Sequence, residues 1–185
     1  MNGSILVHAC CAPCSTASVA KLASMGERPY LYFYNPNIHP YTEFRSRLDS
    51  FLAFLETCGF GGEADRNYGL ETFIGCMKDM DKPGRCRCCY RTRLGAAARR
   101  AASLGIGRFT TTLTISPYQN HELIIEEGNR AAQDAGIEYV YLDMRPEYRK
   151  SRQMARDAGY YMQKYCGCAF SEADRFDPSR GGTMK

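Results

Sequence analysis

Eight of the ten cysteines fall into three short groups, and these groups are where this sequence can do chemistry. The first is Cys10-Cys11-Ala12-Pro13-Cys14-Ser15. The second is Cys86-Arg87-Cys88-Cys89, and the third is Cys166-Gly167-Cys168. Thiolates bind soft metals, attack electrophiles and exchange with disulfides. The first group separates an apolar run from a helical pattern. A helix N-terminus there would stabilise thiolates through its dipole and free N–H groups. Three cysteines in five residues are a poor pattern for small core side chains at a turn. Cys86 and Cys89 form a C-x-x-C, whose spacing brings two sulfurs to one centre from a single turn. Together with Cys10 and Cys11 they make four thiolates, the number taken by a [4Fe–4S] cluster and equally by a structural zinc ion. The adjacent pair Cys10-Cys11 is awkward for one tetrahedral ion and suits a cluster, which offers separate irons. Cys166 and Cys168 form a C-x-C. A bridge between them closes a small strained ring, and strain makes a disulfide easier to reduce. The pair therefore reads as an electron relay; the alternatives are two more metal ligands or a reduced pair at a turn. Cys58 sits in an apolar helical pattern and reads as core. Cys76 is isolated, with no role indicated. His8, His39 and His121 are single histidines, more often structural than ligating.

These groups need a scaffold that brings distant segments together. Gly3 to Ala9 reads as a buried strand, Cys14 to Met25 as a helix, and Pro29 to Tyr34 as a second strand. Glu43 to Cys58 has helical period with Gly59 as its stop. Gly69 to Lys78 suggests a short helix, and Asp81-Lys82-Pro83-Gly84 a break in the chain. Cys89 to Leu104 is an Ala- and Arg-rich helix pattern. Arg108 to Leu113 and Glu138 to Leu142 read as strands, Tyr118 to Ala135 and Ser151 to Gln163 as helices. The alternation predicts an α/β fold with a parallel sheet flanked by helices. In such sheets the site lies at the carboxyl ends of the strands. The loops at Cys10–Cys14, Asn35–His39 and Thr114–Tyr118 all fall there.

The chain has 185 residues, 44% hydrophobic and 24% charged. That suits a single domain over residues 1–174 with a flexible tail over 175–185. A domain of this size needs no disulfide staples, so the cysteines call for metal or redox chemistry. No apolar run is long enough for a membrane span, and Met1 to Val19 lacks the pattern of a signal peptide. A reducing cytoplasm is the expected compartment. The net charge is +4, unevenly placed: Lys82 to His121 has no acidic residue and carries Lys82, Arg85, Arg87, Arg91, Arg93, Arg99, Arg100 and Arg108. Such a block is either a solvated basic helix or a phosphate-binding face. Its closeness to three cysteines favours a polyanionic partner.

Five ordered blocks carry a resemblance. Leu6 to Ser15 (LVHACCAPCS), Tyr34 to Arg47 (YNPNIHPYTEFRSR), Arg85 to Leu94 (RCRCCYRTRL), Thr110 to Asn120 (TTTLTISPYQN) and Gln163 to Glu172 (QKYCGCAFSE) resemble the motifs of the QueH epoxyqueuosine reductases. The resemblance implies an adenine-nucleotide hydrolase-like (HUP) fold with cysteine-rich metal-binding loops. It implies reduction of epoxyqueuosine to queuosine at the anticodon wobble position of tRNA, without cobalamin. Carried over by position, it makes Cys10, Cys11, Cys86 and Cys89 the [4Fe–4S] ligands and Cys166 with Cys168 a redox-active disulfide. A further mononuclear metal ion, iron, is implied beside the cluster. Its ligands are not assigned by the resemblance; Cys14 and Cys88 are candidates only because they adjoin the cluster positions. The partners implied are tRNA carrying epoxyqueuosine and an unnamed electron donor, with no membrane. Arg91, Arg93, Tyr34, Tyr41 and Tyr118 are candidates for binding an anticodon loop, which offers phosphates and unstacked bases. The cysteine loop stands where nucleotide-using relatives have a Gly/Ser-rich phosphate loop, so ATP use is not implied, which weighs against a sulfur-transfer enzyme. The rival from another class is a zinc-stabilised RNA-binding module without catalysis. A general thiol–disulfide oxidoreductase would not need eight clustered cysteines.

Overall fold

The computed structural model describes residues 3–77 and 81–180. Its central strand, β1 (Ser4–His8), is flanked on both sides by parallel partners, β2 (Arg28–Phe33) and β4 (Arg108–Thr111). Side chains alternate across a strand, and β1 uses both faces: Ile5 and Val7 pack to one side, Leu6 to the other. A short β3 (Gly62–Ala64) extends the sheet beyond β2, and β5 (Glu138–Tyr139) extends it beyond β4. The order β3-β2-β1-β4-β5 is all parallel. It is the doubly wound arrangement, with a switch point between β1 and β4 where the chain reverses its direction of winding. The expected α/β class and HUP-like architecture are what the chain adopts.

One face of the sheet is covered by α1 (Ala12–Ser24), α2 (Tyr41–Thr57) and α6 (Tyr148–Asp157). Under α2, Leu31 and Phe33 of β2 meet Phe44, Leu48 and Phe51. The other face is covered by α4 (Lys82–Ser103) and α5 (His121–Ala135), whose Leu94, Ala98 and Ile124 pack with Leu6 and Phe109. Two short helices, α3 (Leu70–Met77) and α7 (Ala169–Phe176), lie outside these layers. None of the helices described is long and apolar enough to cross a membrane.

Several boundaries differ from the sequence reading, each for a local reason. The Asp81–Gly84 break is a helix start: Asp81 caps α4 by accepting from Gly84 N at 2.8 Å, and Pro83 sits in the first turn. The second cysteine group is therefore helical throughout. β4 ends at Thr111, and Thr112–Ile115 turns into a 3-10 segment. α6 starts at Tyr148 and stops before Gly159, which takes the left-handed conformation, so the stretch to Gln163 is not helical. β3 has three half-buried residues, too short to show a period. α7 runs to Phe176 and a 3-10 turn covers Pro178–Arg180; the end of the expected tail, 181–185, and Lys78 lie outside the described residues.

Gly128 of α5 marks where helix and sheet come closest. A Cβ there would lie 2.3 Å from the ring of Tyr139, which is itself buried. Replacing a helical glycine ordinarily gains about 1 kcal/mol, but overpacking costs about 1–3 kcal/mol. With two further methyls Gly128→Val has no room, and denaturant unfolding should show a net loss of about 2 kcal/mol. A variant as stable as the parent would mean that α5 rides higher on the sheet than described.

Candidate metal and redox centre

The switch point places the loop after β1 beside the turn after β4. Thr112 joins them: its Oγ1 accepts from Cys10 N at 3.0 Å and donates to Cys10 Sγ at 3.2 Å. Cys10, Cys11 and Cys14 gather at the start of α1, their sulfurs all within 4.8 Å of one another. Cys11 is the N-cap residue of α1 and Pro13 lies in its first turn, so this helix end presents backbone N–H groups without a side-chain cap. The three thiols do not titrate alike. Hydrogen bonds from Cys11 and Cys14, helped by Arg93 and Thr112, hold Cys10 well below the ordinary thiol range. Burial first, and then Cys10, pushes Cys11 up; hydrogen bonding to Cys10 and Cys11 pushes Cys14 up. The group thus carries its negative charge on Cys10.

The second cysteine group arrives on α4. Residues three apart share a helix face, so Cys86 and Cys89 stand together. Cys88 turns away and forms a disulfide with Cys76 of α3. Sequence alone indicates no role for Cys76 and makes Cys88 a candidate ligand of the further metal ion; the disulfide takes Cys88 out of that set, and only the packing of α3 on α4 reveals the pair. Burial raises Cys86, and it pushes Cys89 up to about 12 against the opposing pull of Arg93. Arg93, one turn on, points its guanidinium at Cys89 Sγ, 3.7 Å away, and donates to Asn35 Oδ1 at 2.6 Å. Asn35 in turn donates to Ala9 O at 2.9 Å, next to Cys10.

The third group is held over these two. Arg47 of α2 is buried, paired with Glu43 at 2.6 Å, and donates to Cys166 O at 3.0 Å and Tyr165 O at 2.9 Å. Gly167 has φ +128, and a Cβ there would meet Arg47, Asn37 and Ile38 at 3.1–3.2 Å, so only glycine fits. His39 N donates to Gly167 O at 2.7 Å. Cys166 is exposed and accepts from Gln119 Nε2 at 3.5 Å, while Gln119 Oε1 accepts from Tyr90 of α4 at 2.7 Å. Cys168 caps α7, its sulfur accepting from Ser171 N at 3.3 Å. Both are free thiols here. Gln163 reaches back to Cys11 Sγ at 2.9 Å. The sulfurs of Cys10, Cys89 and Cys166 all act electrostatically on Arg93.

Sulfur-only donors around a buried cation fit a metal that prefers thiolates. Sulfurs within 4.8 Å of one another suit a single ion; a cluster spreads its thiolates over separate irons, which Cys86 and Cys89 would extend from α4. Cys58 lies apart under α2, against Leu55 O and Phe60 O, as a core residue. The histidines are structural in their contacts. His8 bridges Thr111 and Tyr34, and burial, aided by Arg93, holds it down at about 3. His39 bonds Tyr68 at 2.7 Å and His121 bonds Tyr141 at 2.9 Å.

The basic block is not the open phosphate face its sequence suggests. Arg87 and Arg91 converge on buried Glu127; burial opposes its ionisation, but the two arginines outweigh that and hold its carboxyl below the usual range. Arg100 pairs with Glu63, Arg108 with Glu27 and Glu138, and Lys82 with Asp174. Arg93 is buried. Partners distant in sequence neutralise what looks unopposed along it.

Fold and site together define a class: doubly wound parallel α/β proteins whose switch-point crevice is furnished with thiols in place of a phosphate loop. Within it, the chain belongs to the epoxyqueuosine reductase QueH family, a family of oxidoreductases, whose model matches residues 5–174. A relative named epoxyqueuosine reductase QueH from Dehalococcoides mccartyi is 36% identical over 95% of this chain and 96% of its own. Those from Helicobacter pylori and Streptococcus pyogenes are 36% and 32% identical, over 90% and 91% of this chain and 49% and 70% of theirs. Among solved structures, a predicted subunit of tRNA methyltransferase from Methanocaldococcus jannaschii matches with TM-score 0.50 at 15% identity, covering 82% of this chain and 74% of that one. This likeness speaks for the fold alone.

Proposed function

We propose that this protein reduces epoxyqueuosine to queuosine in tRNA, without cobalamin, at the centre formed by the three cysteine groups. The observation that carries the reading is the gathering of Cys10, Cys11 and Cys14 at the switch point, with Cys89 tied to the same loop through buried Arg93 and Asn35 and the Cys166 segment held over it by Arg47 and Gln163. Cys10, Cys11, Cys86 and Cys89 would hold a [4Fe–4S] cluster, which supplies electrons one at a time when bound. Cys14, the remaining thiol of the first group, is available to an additional mononuclear metal ion. Removing the epoxide oxygen as water takes two electrons and two protons. Oxidation of Cys166 and Cys168 to a disulfide releases two of each, and an external donor must then restore the dithiol. Gln119 holds Cys166 at the open mouth of the site, and Arg47 fixes the backbone that carries it. Such chemistry belongs in the reducing cytoplasm.

The tRNA side is served by surface cations and rings. Arg149 and Arg156 of α6 are exposed, and Tyr118, 83% exposed and next to Gln119, has its ring against Tyr148 at the start of the same helix. Phosphates meet the cations, and an unstacked base can lie on the ring. If about four phosphates are neutralised, affinity for tRNA should fall about fiftyfold between 50 and 200 mM salt. A flat salt response in a filter-binding titration would remove this assignment. The activity itself is tested by incubating the anaerobically prepared protein and a reductant with tRNA carrying epoxyqueuosine, then digesting and analysing the nucleosides. Queuosine is the expected product. Unchanged epoxyqueuosine, with zinc bound in place of iron, would favour a zinc-stabilised RNA-binding module.

A further inference from the structure

Arg93 differs from every other arginine whose ion pairing is described above. It is 2% exposed, and a guanidinium cannot shed its charge. A buried charge is tolerated only where an opposite charge and hydrogen bonds compensate it. Buried Arg47 has Glu43, and the α4 arginines Arg87, Arg91 and Arg100 have Glu126, Glu127 and Glu63. Among the described residues, no carboxylate bonds Arg93. Its hydrogen-bond partners are a neutral amide, Asn35 Oδ1 at 2.6 Å, and Cys89 Sγ at 3.7 Å, while its Nε is buried without a partner. The guanidinium thus faces thiols rather than carboxylates, touching Cys89 of the second cysteine group and lying beside the Cys10 loop through Asn35. Asn35 ties the guanidinium to Ala9 O, the carbonyl preceding Cys10. The charge is thus pinned between the strand-end loops rather than left to swing.

We infer that Arg93 is the fixed counter-charge of the cysteine centre, a positioning residue that favours its electron-rich state. This rests on the centre proposed above. A fixed positive charge in a poorly solvated site stabilises whichever state carries more negative charge. Reduction adds negative charge, so Arg93 raises the reduction potential of whatever the thiolates hold. Arg47 contributes less, because Glu43 cancels it. The sequence hides this role, since Arg93 reads as one more cation in a basic run.

The test uses the full chain, purified and reconstituted with iron and sulfide without oxygen, and a potentiometric titration followed by visible bleaching. Three variants serve: Arg93→Met, Arg93→Lys and Asn35→Asp. The last keeps the guanidinium and gives it a carboxylate, separating charge from packing. Arg93→Met and Asn35→Asp should both be reduced at a more negative potential than the parent, and Arg93→Lys near the parental value. Parental potentials in Arg93→Met and Asn35→Asp would overturn the inference and leave Arg93 a packing residue. If Arg93→Met does not fold, Asn35→Asp decides. If the parent binds zinc and no cluster, the cluster reading fails separately. The inference is then judged by zinc competition with a chelator: a loss of at least roughly tenfold in Arg93→Met supports it, and equal affinity overturns it.

Discussion

Cys10→Ala is expected to lose metal and turnover together while keeping the fold. Cys10 is the thiol held most strongly toward its anionic form, and Thr112 donates to its sulfur at 3.2 Å. Changing a group outside the ligand shell already costs about 10–100-fold in metal affinity. Removing the central thiolate should therefore exceed about a hundredfold. The side chain holds no element in place, since β1 and β4 are joined by their backbone register and by Cys10 N, which alanine keeps. Its unfolding free energy should thus stay within about 1 kcal/mol of the parent. Iron analysis, a nucleoside assay and a denaturant melt on the same preparation check all three parts. Cys58→Ala, at the end of α2 with its sulfur on Leu55 O and Phe60 O, is the control that should keep full metal. A Cys10→Ala protein with parental iron would place the centre elsewhere.

Cys166→Ser is expected to separate metal from catalysis. Serine keeps the shape of the loop that Arg47 and His39 hold through backbone carbonyls, but cannot form a disulfide. Iron content should match the parent, and turnover should fall by roughly three orders of magnitude, the scale on which a group acting in the chemical step is felt. Cys168→Ser should behave alike. Iron loss in Cys166→Ser would instead make Cys166 a ligand.

Much of this architecture is legible in the chain because its signals are local. The apolar run before Cys10 announces β1, and the periodic patterns stopping at Gly59, Gly105 and Gly136 announce the ends of α2, α4 and α5 closely, although α4 starts at Lys82 rather than Cys89. The position of the Cys10 loop follows from the parallel-sheet rule. What is not legible depends on partners far away. Arg87, Arg91 and Arg100 look unopposed until Glu126, Glu127 and Glu63 fold against them. Cys76 and Cys88 pair only because α3 packs on α4. Gln119, Gln163, Asn35 and Thr112 carry no chemical signature of their own; they acquire roles by lying within hydrogen-bond reach of a sulfur or of Arg93. Asp81 and Pro83 form a cap with a first-turn proline, but Gly84 beside them makes the same residues read as a break in the chain.

The central claim is that the three cysteine groups build an iron–sulfur redox centre, and its most direct test is metal stoichiometry. The protein should be purified without oxygen and its iron, zinc and acid-labile sulfide measured per chain. About four irons with matching sulfide, and iron beyond four if the second ion is bound, is the result expected of a [4Fe–4S] centre. Zinc without labile sulfide, persisting after anaerobic reconstitution, would contradict the redox centre and leave a zinc-stabilised RNA-binding fold in its place.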